Sequence, residues 1–134
     1  HYAFDASTEE SVFITFRLPE DYNGGTLGWQ VGWDAVATAS GTAVWGLSGG
    51  AFSNDDALST ALGSEQTATD TLIAVGDYHA INGTAITLAG SPVAGDFVVL
   101  KLVAKTSGTI AVDVLGLNLQ IQYQTKTTQI KTAW

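Results

Sequence analysis

The chain has no cysteine, no methionine, two prolines, and only five Lys and Arg among its 134 residues. Without cysteine there are no disulfide staples and no thiolate metal sites. Five cations against thirteen acids give a net charge of −8. That balance excludes the clustered positive surface a nucleic-acid backbone requires and disfavours an anionic membrane. No apolar run approaches the ~18 residues of a spanning helix. Charged residues make up 13% of the chain, about half the usual share of roughly 25%. Gly, Ala, Ser and Thr fill the difference, which suits a surface packed against other subunits as well as any Thr-rich β-protein. With His1 first and methionine absent, the sequence reads as a processed product or a fragment of a longer chain. Its length fits one domain, able to bury about two-thirds of its unfolded surface without covalent help.

What is present is strand grammar. Val12, Ile14, Phe16 and Leu18 alternate with Phe13, Thr15 and Arg17, the period of two that marks a half-buried strand. Pro19 ends the run because it cannot donate to a ladder. Asp21-Tyr22-Asn23-Gly24-Gly25 is turn chemistry. Leu27, Trp29, Val31, Trp33 and Ala35 then share one face of a second strand. Ser40-Gly41 turns the chain, and Thr42–Leu47 is expected to return as a hairpin. Gly49–Ser64 reads as a loop over one end of the sheet, with a helical turn at Asp55–Leu62 that Asn54 would cap. Further strands are expected at Thr67–Val75, around Ile81–Leu88, at Phe97–Val103 as a central strand, and at Val112–Tyr123. In the last of these, Leu115, Leu117, Leu119, Ile121 and Tyr123 form the core face, opposite Gly116, Asn118, Gln120, Gln122 and Gln124. The sum is an all-β, antiparallel two-sheet sandwich over residues 1–124, followed by a polar extension at 125–134. Ile14, Phe16, Trp33, Val99, Leu117 and Leu119 are expected inside. There is no internal repeat.

The block Phe4-Asp5-x-x-Thr8-x-Glu10, the strand ending Leu18-Pro19, Tyr22-x-Gly24-Gly25-x-Leu27, the Trp-bearing second strand, Ser40-Gly41-Thr42-x-x-Trp45 and the closing Asp113–Tyr123 together resemble small jelly-roll proteins and domains encoded by tailed bacteriophages. The resemblance covers most of residues 4–123. It implies a jelly-roll-like fold and a virion component: a head decoration protein, a fibre or a tail-associated module. It carries no chemistry of its own, and Thr125–Trp134 lies outside it.

Candidate sites compete with plain readings. Glu9-Glu10 and Asp55-Asp56 are adjacent acids, whereas a glycosidase needs two carboxyls facing each other across about 5–10 Å; they read as solvated loop charges. Glu9 is also placed to approach the Tyr22–Gly25 turn. His79, the only internal histidine, has no nucleophile motif such as Gly-x-Ser-x-Gly to serve and reads as a surface or turn residue. Asp21, Asp55 and Asp56 are the candidate calcium ligands, without the later bidentate acid of an EF-hand. Trp29 and Trp33 share a face with Leu27 and Val31, which makes them core rather than a stacking platform. Trp134 ends a polar tail, where a lone aromatic is often docked on a neighbour.

Three functions compete: a structural subunit of a phage virion, a carbohydrate- or receptor-binding module, and an enzyme such as a depolymerase. The first accounts for the low charge, the small residues and the resemblance. The expected partners are other virion subunits in a homo-oligomer and a host-surface glycan, with no nucleic acid, membrane, cofactor, metal or catalytic centre, and the expected location is the virion. Asn118, Gln120, Gln122 and Trp134 are the expected contact residues. The amides satisfy hydrogen bonds across a boundary without burying charge, and Thr125–Trp134 or His1–Asp5 would reach onto an adjacent copy.

Overall fold

The computed structural model describes residues 1–126. Eight strands follow one another: β1 (Tyr2–Phe4), β2 (Glu10–Arg17), β3 (Gly28–Ala35), β4 (Thr42–Phe52), β5 (Gln66–Thr71), β6 (His79–Asn82), β7 (Phe97–Lys105) and β8 (Val114–Gln122). No helix occurs among the described residues. The strands pair antiparallel in a nested series: β1 with β8, β2 with β7, β3 with β6, β4 with β5. This is one long hairpin. Folding it over brings β8 against β3 and β7 against β4 and splits it into two sheets, β1-β8-β3-β6 and β2-β7-β4-β5. The strand order is that of a jelly roll.

The core lies between the sheets. Leu27, Val31, Trp33 and Ile86 from the first sheet and its flanks meet Trp45, Leu47, Val98 and Leu100 from the second, all fully buried. Burying a large apolar side chain of this kind contributes about 1.5–3 kcal/mol relative to leaving it exposed. Phe4 meets Trp45 edge to face at 5.4 Å. Trp33 Nε1 donates to Asp70 Oδ2 at 2.9 Å, and Trp29 Nε1 donates to the Thr84 carbonyl at 2.7 Å. Trp45 Nε1 is buried without a partner among the described residues. Val12, Ile14, Phe16 and Leu18 face this core as the alternation requires, as do Trp29 and Trp33.

Several local expectations are corrected. Thr42–Leu47 does not form a hairpin with the preceding strand. β3 and β4 belong to different sheets, because both sides of β3 are taken by β6 and β8. β4 runs on to Phe52, through Gly49 and Gly50, and almost all of it is buried. The loop after it forms no helix, only separate hydrogen-bonded turns at Ser53–Asp56 and Ala57–Thr60. Rather than capping one end, this loop lies over the outer face of β4, with Glu65 above Gly46 and Leu62 above Gly50. Small residues at those positions leave it room.

Val99 and Leu117 are not core residues. In β7 the inward residues are Val98, Leu100, Leu102 and Ala104, so the alternation puts Val99 on the outer face. In β8 the pairing with β3 slips between Gly32 and Trp33: Asn118 pairs with Gly32 and Gly116 with Trp33, leaving Leu117 as an extra residue. Such a bulge reverses the face of every residue before it. Gly116 therefore points inward beside Phe4, Leu115 pairs with the outward Asp34, and Leu117 is 40% exposed.

The N-terminal segment takes the edge of its own first sheet, Tyr2 pairing with Gly116 and Phe4 with Val114. After β8 the chain turns against the Asp21–Asn23 stretch. Asn23 N donates to Gln124 O, Thr125 bridges Tyr22, and Lys126 N donates to Asp21 O. Trp134 lies outside the described residues.

Candidate interaction faces

The outer face of the first sheet carries the expected contact residues. Asn118 pairs with Gly32, Gln120 with Gln30, and Gln122 with Gly28. On the other side of β3, Asn82 pairs with Gln30, and the Gln30 Nε2 amide donates to Asn82 Oδ1 at 3.0 Å. The amides read from one strand thus belong to a set spread across three strands, β6, β3 and β8.

Tyr78 completes this face. Its hydroxyl meets Asn118 twice, accepting from Nδ2 at 3.0 Å and lying 3.3 Å from Oδ1. The phenol sits directly above Gly32, where a Cβ would come within 2.4 Å of its oxygen. Only glycine leaves space for it. The loop that brings Tyr78 there is tied down along its length. Leu72 N donates to Gly41 O at 2.9 Å, Ile73 N to His79 Nε2 at 3.0 Å, and Gly76 N to Asp34 Oδ2 at 2.9 Å. Tyr78 nevertheless remains 59% exposed.

His79 is not a surface residue. It is 7% exposed, and its ring lies 4.9 Å from that of Trp33. Its Nε2 accepts the Ile73 N–H, and among the described residues its Nδ1 has no partner. It faces inward because the β3–β6 register sets it opposite Trp33. Its role is to pin the Tyr78 loop.

The acidic pairs are dispersed. Glu9 does not reach the Tyr22 turn. Its carboxylate shares Lys105 with Glu65, at 3.2 and 3.0 Å, and these contacts raise the Lys105 pKa. Glu10 accepts from Asp5 N, and Asp56 accepts from Ser53 N. Asp21 accepts from the Tyr123 hydroxyl at 3.0 Å, which raises the tyrosine's pKa. Asp21, Asp55 and Asp56 do not converge, and no group of three or more His, Asp or Glu comes together among the described residues.

The outer face of the second sheet is different in kind. Its β4 half is covered by the 53–65 loop, while its β2–β7 half is open. Phe13 is 60% exposed and pairs with Lys101; Thr15 pairs with Val99 and Arg17 with Phe97, itself 38% exposed. Phe97 lies 6.3 Å from Phe52. Arg17 donates to the Gly95 carbonyl, at 2.8 and 3.1 Å, and neither Arg17 nor Lys101 forms an ion pair among the described residues. This is an apolar strip with two cations beside it, on a chain of net charge −8. The sequence signals it only as a large aromatic, Phe13, on the wrong side of an otherwise regular alternation.

No family model matches this chain, and neither a curated protein nor a solved structure is matched to it.

Proposed function

We propose that this chain is a non-enzymatic structural subunit of a phage virion, a capsid decoration or tail- or fibre-associated protein, acting through repeated contacts between copies. The observation that carries the reading is the open strip of Phe13, Val99 and Phe97 beside Lys101 on the second sheet. Contiguous exposed apolar surface on a rigid face is the usual mark of a protein contact. Lys101 and Arg17 at its edge suit the acidic surface that a second copy of this chain, with net charge −8, offers. Symmetric assemblies repeat one such contact many times. The jelly-roll order and the likeness of Phe4–Leu27 and Asp113–Tyr123 to tailed-phage proteins support the virion setting. The test is mass spectrometry of purified particles of the encoding phage, with immunogold labelling of the intact particle. The chain is expected in stoichiometric amounts at regular positions. Its absence from purified particles would overturn the reading.

A carbohydrate- or receptor-binding role is the second reading, and the fixed position of Tyr78 on the opposite face favours it.

A further inference from the structure

We propose that the outer face of the first sheet is a binding platform for a neutral glycan, centred on Tyr78. The inference goes beyond the structural role and does not depend on it, because the apolar strip lies on the other sheet.

Three features specify the ligand. The first is a fixed aromatic. Tyr78 is held over Gly32, clamped at its hydroxyl by Asn118, and carried on a loop secured at Leu72, Ile73 and Gly76. More than half of its surface remains open. A ring immobilised before binding loses little entropy when a ligand stacks on it. Sugar rings offer such a surface their apolar C–H face.

The second feature is the surrounding chemistry. Gln30, Asn82, Asn118 and Gln120 are all amides, each with donors and acceptors that match hydroxyl groups. The Gln30–Asn82 hydrogen bond uses one Gln30 donor and Asn82 Oδ1, leaving Gln30 Oε1 and the Asn82 amide nitrogen for a ligand. These four positions carry no charge, and the charged residues beside them are acidic: Asp34 shares the face but accepts from Gly76 N at 2.9 Å, and Asp77 flanks Tyr78 in the loop. A phosphate, a sialic acid or a nucleic acid would find no cation among them.

The third feature is shape. The face is an open sheet rather than a pocket. Small molecules need enclosure on most sides to bind well, so a flat platform suits a chain of sugars laid across several strands. The class of ligand is therefore an oligomeric neutral glycan of hexose or N-acetylhexosamine units.

The experiment is an immobilised glycan array holding neutral, sialylated and sulfated oligosaccharides, probed with the full chain and two variants. Tyr78→Ala removes the platform, and Leu58→Ser changes a 71% exposed residue of the 53–65 loop that belongs to neither face. Thermal melting of each variant confirms that it is folded. The wild type and Leu58→Ser are expected to bind neutral oligosaccharides alike, while Tyr78→Ala binds at least about tenfold more weakly. A folded Tyr78→Ala that binds as well as the wild type would overturn the proposal. So would retention of the anionic glycans alone, or of no glycan at all. These failures leave the particle-labelling test of the structural role untouched.

Discussion

Trp33 and Asp70 join the two sheets by a side-chain hydrogen bond. The indole N–H on β3 donates 2.9 Å to the carboxylate on β5, from the centre of the core where Trp33 is fully buried. Asp70→Ala leaves that N–H without a partner, a loss of about 1–3 kcal/mol. Asp70→Asn keeps an acceptor and should lose less. Urea denaturation checks both, as a fall in midpoint at unchanged slope.

Two glycines make opposite predictions from similar crowding. A Cβ at Gly83 would lie 2.0 Å from the Trp29 ring, and one at Gly32 would lie 2.4 Å from the Tyr78 hydroxyl. Trp29 is buried and held by the Thr84 carbonyl, so it has nowhere to go. Gly83→Ala should destabilise by about 1–3 kcal/mol. Tyr78 is exposed and can swing outward. Gly32→Ala should therefore cost less stability than Gly83→Ala and instead release the tyrosine from Asn118. Paired melting curves and the tyrosine ring resonances in NMR spectra separate the two outcomes.

Stability should decline at alkaline pH. Hydrogen bonds that Lys105 donates to Glu65 and Glu9 raise its pKa above the ordinary 10.5. Burial, with the nearby Asp96 charge second, raises Tyr22 above 10.0. A folded-state pKa above the unfolded one means that the contribution is complete below the unfolded value and disappears as pH rises through the folded value. The fall should begin above about pH 10. Tyr22→Phe removes the tyrosine's share and should flatten that limb. At the acidic end Asp5, whose carboxylate accepts from the Ser7 side chain and backbone, is shifted below 3.8. Its contribution is present above that value and lost as pH falls. Chemical denaturation across pH tests both signs.

The sandwich was legible because alternation is a local signal. Val12–Leu18 and Leu27–Ala35 show their inner faces residue by residue, and both are confirmed in β2 and β3. The errors arose where a distant partner decides. Leu117 keeps perfect alternation with Leu115 and Leu119, yet the pairing with β3 slips at that point and leaves it unpaired and 40% exposed. Gly49 and Gly50 look like loop residues, but they are strand residues made small by the loop that folds over β4 and by the packing of Leu88 and Leu100. His79 looks like a turn residue until β6 sets it against Trp33. Of the candidate faces, the amides of β8 were readable from their spacing. Tyr78 was not, because only the β3–β8 pairing and the course of its loop bring it to Gly32 and Asn118.

The mass of the chain in solution, followed by light scattering across a concentration series, tests most directly whether copies meet through the second sheet. The wild type is compared with Phe13→Lys, which sets a second cation directly opposite Lys101 and should lower the melting temperature by no more than a few degrees. The wild type is expected to reach a defined multimer, and Phe13→Lys to remain a monomer at the same concentrations. A wild type that stays monomeric throughout, or a variant that assembles equally well, would contradict the account.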